Sequence, residues 1–95
     1  MGTAYFDFRI TDQEGNYIEV DWNNDFKVEF YDSLQVLRFT ATINSSPPIQ
    51  KATDSLGPYY FINNIDVSGW AAGLVKAYVY ATYQGENIIP YPTII

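Results

Sequence analysis

The chain contains neither cysteine nor histidine. Without cysteine, no disulfide or thiolate metal site can stabilise it, so its stability must come from packing or from assembly with other chains. The lack of both residues also removes the common nucleophile–base pairs, the zinc sites and the usual proton shuttle near neutral pH. A catalytic pair of carboxylates is still conceivable, but no pair of acids stands out from the others. The sequence therefore predicts a protein that is not an enzyme, with no catalytic residue, no cofactor and no metal site.

Positive charge is also scarce. Five lysines and arginines face eleven acids, which gives a net charge of −6, and the basic residues are scattered singly along the chain. A phosphate backbone or an anionic membrane attracts a clustered positive surface, so neither nucleic acid nor a membrane is expected as a partner. No apolar run reaches the roughly 18 residues of a transmembrane helix. The first ten residues have no basic n-region and no apolar h-region, which predicts a protein without a signal peptide that stays in the cytoplasm.

What the chain does contain is a high share of apolar and aromatic residues, 47 % and 18 % of its 95 residues. Such a composition predicts one globular domain over residues 1–95, with a small core. Apolar and polar residues alternate in short segments that recur about every ten residues, separated by turn signals, as in an all-β sandwich or barrel. The first two segments, 4–10 and 17–22, are predicted to form a hairpin through the turn "TDQEGN". The next predicted strands are 25–32, 36–43, 49–53 and 58–65.

The stretch "SGWAAGLVKAYVYATYQGENIIPYP", residues 68–92, is compatible at first sight with a helix or a strand. As a helix it would be apolar on all sides, and a domain of this size cannot enclose such a helix. As a strand it places alternate residues on opposite faces, and valine and tyrosine favour strands. The predicted inward residues are Val75, Ala77, Val79 and Ala81; the predicted outward residues are Leu74, Lys76, Tyr78, Tyr80 and Thr82.

A last strand is predicted in "IIPYPTII", after a turn at Gly85. Pro90 and Pro92 remove alternate hydrogen-bond donors from one side of this segment, so it can pair only on the other side, at the border of a sheet. Two interpretations stay open at this stage. The segment is either an edge strand of its own domain or a tail docked on a neighbouring chain.

Several tyrosines fall on the outward side of their predicted strands, namely Tyr5, Tyr31, Tyr78 and Tyr80. Tyrosine is favoured in contact surfaces because it buries a large area and loses little rotamer entropy. The alternative is that the tyrosines form cross-strand pairs that only shield a sheet face. The sequence does not decide between these two roles.

Two further patterns have a functional and a simpler interpretation. Asp21, Asn23 and Asp25 are spaced as in the first part of a calcium loop, but the glycine that an EF-hand requires is replaced by Phe26, so a polar turn is favoured. Trp70 and Trp22 could each stack on a sugar, although a large aromatic residue is more often part of the core.

The second half of the chain resembles a known class of module. The turn "DSLG", the segment "GPYYF" and the stretch "SGWAAGLVKAYVYATYQGENI" are similar to Ig-like β-sandwich modules on structural proteins of tailed-phage virions, in which a W-x-x-G turn precedes the penultimate strand. Val75 stands where such modules commonly carry an aromatic residue. The resemblance implies an Ig-like antiparallel β-sandwich of seven to eight strands. It also implies a virion location and a role as a tail, baseplate, adaptor or capsid-decorating subunit, assembled in the host cytoplasm.

Together these observations predict a structural protein that acts through protein–protein contacts, as a homo-oligomer or as part of a larger particle. The alternative function is that of a carbohydrate-binding or adhesive module. The predicted partner-binding residues are three of the outward tyrosines and the proline-containing edge: Tyr31, Tyr78, Tyr80, Ile88, Ile89, Pro90, Tyr91, Pro92, Ile94 and Ile95.

Overall fold

A computed structural model describes residues 2–88 and the backbone of residues 92–94. Within these residues the chain forms eight strands and no helix, as predicted for an all-β fold. The region also has no helix of the length and apolar character that crossing a membrane would need. The strands are β1 (Thr3–Phe8), β2 (Lys27–Tyr31), β3 (Leu37–Thr42), β4 (Gln50–Asp54), β5 (Gly57–Asp66), β6 (Lys76–Tyr83), β7 (Glu86–Ile88) and β8 (Pro92–Ile94).

The strands form two sheets, and every pairing between them is antiparallel. One sheet has the order β1-β5-β4, and the other has the order β3-β2-β6, with β7 and β8 both paired to β6. If β1 is equated with strand B of the immunoglobulin fold, these orders become B-E-D and C′-C-F-G. The predicted antiparallel β-sandwich is therefore confirmed, and its strand order, which the sequence did not predict, is that of an Ig-like sandwich. No described residue occupies the place of strand A, next to β1.

The core lies between the two sheets and follows the alternation of the sequence. Phe26, Val28 and Phe30 are fully buried on one side of β2, and Phe6 of β1 contacts Phe30 edge-to-face at a centroid distance of 5.3 Å. Ala77 and Ala81 of β6 are buried, as predicted for the inward side of that strand. The other fully or almost fully buried apolar residues are Val20, Ala41, Ile49, Tyr60, Ile62 and Ile65.

Residues 17–22 do not form the predicted strand. The only regular pairing of this segment is an isolated bridge between Thr11 and Tyr17. Next to the turn the predicted hairpin is present, since the amide of Ile18 donates to the carbonyl of Ile10 and the amide of Asp12 to that of Asn16, both at 2.9 Å. Beyond Ile18 the backbone bonds elsewhere: the amide of Val20 donates to the hydroxyl of Tyr60 at 2.8 Å, and the amide of Asp21 donates to the carbonyl of Thr82 at 2.9 Å. Val20 is buried, as the alternation predicted, but in this part of the segment long-range hydrogen bonds replace those of a hairpin.

Replacement of Tyr60 by phenylalanine tests this arrangement. Tyr60 is fully buried between Phe8 and Phe26, so the ring keeps its packing in the variant. The amide of Val20 loses its buried acceptor, and we expect a loss of about 1–3 kcal/mol in the free energy of unfolding. Urea denaturation measures the loss. Tyr17→Phe, at an exposed tyrosine, is the control, and an equal effect of both changes would contradict a specific role of the Tyr60 hydroxyl.

Candidate functional site

Tyr31, Tyr78 and Tyr80 lie together on the outer face of the five-stranded sheet. The antiparallel register of β2 and β6 aligns Lys27 with Tyr80, Glu29 with Tyr78 and Tyr31 with Lys76. Because inward residues of these strands fill the core, the three tyrosines face away from it, as their position in the alternation predicted. We call Lys27, Glu29, Tyr31, Tyr78 and Tyr80 the tyrosine face.

The side chains of the tyrosine face hold one another in place. The rings of Tyr31 and Tyr78 meet edge-to-face with centroids 5.5 Å apart. The Tyr31 hydroxyl donates to Oε1 of Glu29 at 3.3 Å, and Nζ of Lys27 lies 3.6 Å from Oε2 of the same carboxylate and 4.9 Å from the centroid of the Tyr80 ring. All five residues are therefore linked in one network around Glu29.

The network also changes the acidity of the tyrosines. Partial burial, followed by the charge of the Glu29 carboxylate, raises the pKa of Tyr31 and of Tyr80. Both hydroxyls therefore stay protonated at neutral pH, and the oxygen of Tyr31, whose proton is donated to Glu29, can still accept a hydrogen bond from a partner. The surface is aromatic, ordered and only weakly charged.

Four exposed aliphatic residues adjoin the tyrosine face, three between the end of β2 and the first residue of β3 and one in the loop before β6. They are Leu34, Val36, Leu37 and Leu74, each between 44 and 70 % exposed, and we call them the aliphatic tip. Tyr31 pairs with Leu37, which joins the tip to the tyrosine face. The loop before β6 is close to the same turn, because the hydroxyl of Ser33 donates to the carbonyl of Ala72 at 2.6 Å. Contiguous exposed apolar residues of this kind mark interaction surfaces.

Asp32 fixes the aliphatic tip, a role that no pattern in the sequence predicted. The side chain is almost completely buried, and its carboxylate accepts hydrogen bonds from the amides of Leu34 and Ala71 at 3.0 and 3.1 Å. Nε of Arg38 lies 2.7 Å from Oδ2. These partners, the Ala71 amide first and Arg38 second, lower the pKa of Asp32 to about 2. The carboxylate thus ties the β2–β3 turn to the loop that precedes β6.

Gly73 allows the close approach of that loop. Its φ is +126°, and a Cβ atom at this position would lie 2.8 Å from Cβ of Ser33. A larger residue would strain the backbone and push the loop away from the turn. Gly73, the glycine of the W-x-x-G pattern, is therefore needed at this position for steric reasons.

The predicted proline-containing edge is described only in part. β7 and β8 both pair with β6, so the described portions are edge strands of their own domain, on the same side of the sheet. Ile88 is partly buried against the core, and Pro92 pairs with Tyr78, which places β8 beside the tyrosine face. The pairing partner of Ile94 is Lys76. Ile89, Pro90, Tyr91 and Ile95 lie outside the described residues.

The two tryptophans lie apart from the tyrosine face. Trp70 is partly buried and packs near Phe30. Trp22 lies parallel to Tyr60 with centroids 6.3 Å apart, and Nζ of Lys51 lies over its ring at 4.8 Å. A sugar stacked on Trp22 would therefore compete with Lys51.

In the segment with calcium-like spacing, the side chains of Asp21 and Asn23 accept hydrogen bonds from the protein itself. The carboxylate of Asp21 accepts hydrogen bonds from the hydroxyl of Thr82 and from the amides of Gln84 and Gly85, which lowers its pKa. The bond explains why Thr82 is buried although the alternation predicted it to face outward. In the described part of the chain, no group of three or more acidic side chains could hold a metal ion.

Comparison with family models, curated proteins and solved structures finds no significant match to this chain.

Proposed function

We propose that the protein is a structural assembly subunit that binds other protein subunits through the tyrosine face and the adjoining aliphatic tip. The observation that carries the proposal is the continuity of these two surfaces: an ordered aromatic network beside four exposed aliphatic side chains. Interface cores are enriched in aromatic residues and depleted of charge. This surface has both properties, in a chain whose net charge is −6.

The tyrosine network supports protein binding in a second way. Association costs free energy for each side chain that must be ordered in the interface. Tyr31, Tyr78 and Glu29 already contact one another in the domain, so less rotamer freedom is lost when a partner covers them. Tyrosines arranged in this manner are typical hot-spot residues.

We further propose that the assembly is a tailed-phage virion, in which this subunit belongs to the tail, baseplate, adaptor or capsid decoration. This part rests on the resemblance of the W-x-x-G turn and its flanking strands to modules of virion structural proteins. The Ig-like strand order and the edge strand β8 beside Tyr78 agree with such a module. Copies of the domain or a larger virion protein would then cover the tyrosine face.

A charge introduced into the aliphatic tip provides the test. Leu34→Glu places a charge where the proposal has an interface core, while the exposed position leaves the fold intact. We expect self-association, or incorporation into particles, to weaken by at least about tenfold. Sedimentation velocity measures self-association, and quantitative mass spectrometry of purified particles measures the copy number of the subunit.

Leu56→Glu is the matched control, because Leu56 is an equally exposed leucine in the β4–β5 turn. Its association is expected to equal that of the unmodified protein. A protein that is a strict monomer at all concentrations and is missing from particles would contradict the proposed function. Equal effects of the two leucine changes would contradict the proposed surface.

A further inference from the structure

A groove of about 410 Å³ opens between the two sheets along the edge of β1. Ala4 and Tyr5 of β1 form one wall, and the loop that precedes β6, with Trp70, forms the other. Phe30 lies at its floor between the sheets. The remaining lining residues are Ile65, Val67, Ala71, Ala72, Gly73 and Val75. Among the residues that the structure describes, no charged side chain lines this groove, which lies on the opposite sheet edge from β4 and is distinct from the tyrosine face.

The strand beside the groove, β1, is an edge strand of the three-stranded sheet. Lysine, arginine and proline are among the residues by which edge strands avoid unwanted pairing. β3 contains Arg38, β4 contains Lys51 and β8 begins with Pro92, whereas β1, "TAYFDF", contains none of these residue types and has Asp7 as its one charged residue. The register between β1 and β5 shifts between Ala4 and Phe6, where two residues of β5 stand opposite one of β1, so the bulge lies in β5 and not in the edge strand. The outer backbone groups of β1 have no strand partner among the described residues and are therefore open to another extended chain.

The strand order indicates that an extended strand would fit beside the free edge of β1. In the immunoglobulin fold, strand A pairs with strand B and closes the side of the sandwich at this point. β1 takes the place of strand B, and no described residue takes that of strand A. An extended segment added to β1 would continue the three-stranded sheet, and its inward side chains would enter the groove above Phe30.

We propose that β1 and this groove accept an extended segment of another protein, which pairs with β1 and inserts apolar side chains at alternate positions. The charges on the β1 side select for a basic segment, because Asp7 lies on β1 and Asp66 lies between the lining residues Ile65 and Val67. A second copy fits this place less well than a basic segment does, because it would bring the same acids and a net charge of −6 to this edge.

A synthetic peptide tests the proposal on the complete chain. The probe has nine residues, with valine and isoleucine at alternate positions, threonine between them and lysine at both ends. We expect calorimetry to detect binding, and we expect amide shifts in NMR spectra to concentrate in Thr3–Phe8 and residues 65–75. Hydrogen exchange of the β1 amides should slow in the complex. A scrambled peptide without the alternation should bind at least about tenfold more weakly.

Two substitutions connect binding to the groove. Ala4→Leu fills the groove with an apolar side chain and should weaken peptide binding at least about tenfold. Ala52→Leu is the matched control, since Ala52 is a partly buried alanine of the opposite edge strand β4, and it should leave binding unchanged. Asp7→Lys, on the exposed side of β1, should weaken binding of the lysine-flanked peptide and strengthen binding of a glutamate-flanked one.

A variant of the aliphatic tip distinguishes peptide binding at the β1 groove from binding at the tyrosine face. Leu34→Glu should bind the peptide as the unmodified chain does. Peptide binding that is unaffected by both Ala4→Leu and Asp7→Lys, or that shifts amides elsewhere, would overturn the proposal. Slow exchange of the β1 amides in a peptide-free dimer would also overturn it, since a second copy would then be the occupant.

Discussion

Replacement of Phe30 by alanine is expected to lower the free energy of unfolding by about 3–5 kcal/mol. Phe30 is fully buried at the centre of β2 and contacts rings from both sheets. Its ring centroid lies 5.3 Å from that of Phe6, 6.1 Å from that of Phe39 and 6.3 Å from that of Trp70. The cavity would open directly beneath the groove at β1. Because a domain of this size has a total stability of only about 5–15 kcal/mol, the variant would be near the limit of folding.

Chemical denaturation followed by far-UV circular dichroism measures this loss. Leu34→Ala serves as the control, because Leu34 is 70 % exposed and its removal should change the stability by no more than about 0.5 kcal/mol. A Phe30→Ala protein that loses less than about 1 kcal/mol would show that the two sheets do not pack around this ring. Phe30→Leu should recover part of the loss, since it keeps an apolar side chain at the site.

The strands that the sequence predicted best are those with a strict alternation. Phe26, Val28 and Phe30 follow it in β2, and each is fully buried. The same argument distinguished a strand from a helix in β6, because the apolar residues on every side of the helical alternative could not all be enclosed. In both segments a local pattern is sufficient, since burial on one face of a sheet depends on the period of two residues.

The pattern failed where long-range hydrogen bonds or bulges decide the structure. Residues 17–22 alternate, yet Val20 bonds to the hydroxyl of Tyr60, 40 residues away. The alternation of residues 36–43 puts Leu37 on the same side as the buried Ala41, but a bulge opposite Phe30 and Tyr31 changes the register, and Leu37 is exposed. Local alternation does not encode such partners.

The candidate site could be predicted only as far as local alternation determines it. The alternation places Tyr31, Tyr78 and Tyr80 outward, and this was sufficient to predict a shared surface once β2 and β6 were adjacent. It did not predict that Tyr5 lies on the other sheet, beside Phe61. The aliphatic tip and the groove at β1 depend on strand order and on loop contacts, which a single sequence does not specify.

Replacement of Asp32 by asparagine is expected to have the largest effect outside the apolar core. Asparagine keeps the size of the side chain but loses the charge that pairs with Arg38, and its amide group cannot accept the hydrogen bonds that Oδ2 accepts. We expect the melting temperature at pH 7 to fall by on the order of 10 °C. The β2–β3 turn and the loop at Ala71 should loosen together, because both are held by this carboxylate. Hydrogen exchange of the amides of Leu34 and Ala71 measures that loosening.

The pH dependence gives this prediction a second, independent readout. The pKa of Asp32 is about 2 in the folded protein, compared with 3.8 for an aspartate in the unfolded chain. A lowered pKa means that the carboxylate stabilises the fold fully above about pH 4, and that this contribution is lost as the pH falls towards 2. The unmodified protein should therefore lose more stability between pH 4 and pH 2 than Asp32→Asn does. The remaining pH dependence of the variant's stability comes from other acids with lowered pKa values, such as Asp21 and Asp54.

Asp25→Asn, in an exposed loop, is the control, and its stability should depend on pH as that of the unmodified protein does. Equal slopes for Asp32→Asn and the unmodified protein would show that this carboxylate does not fix the tip.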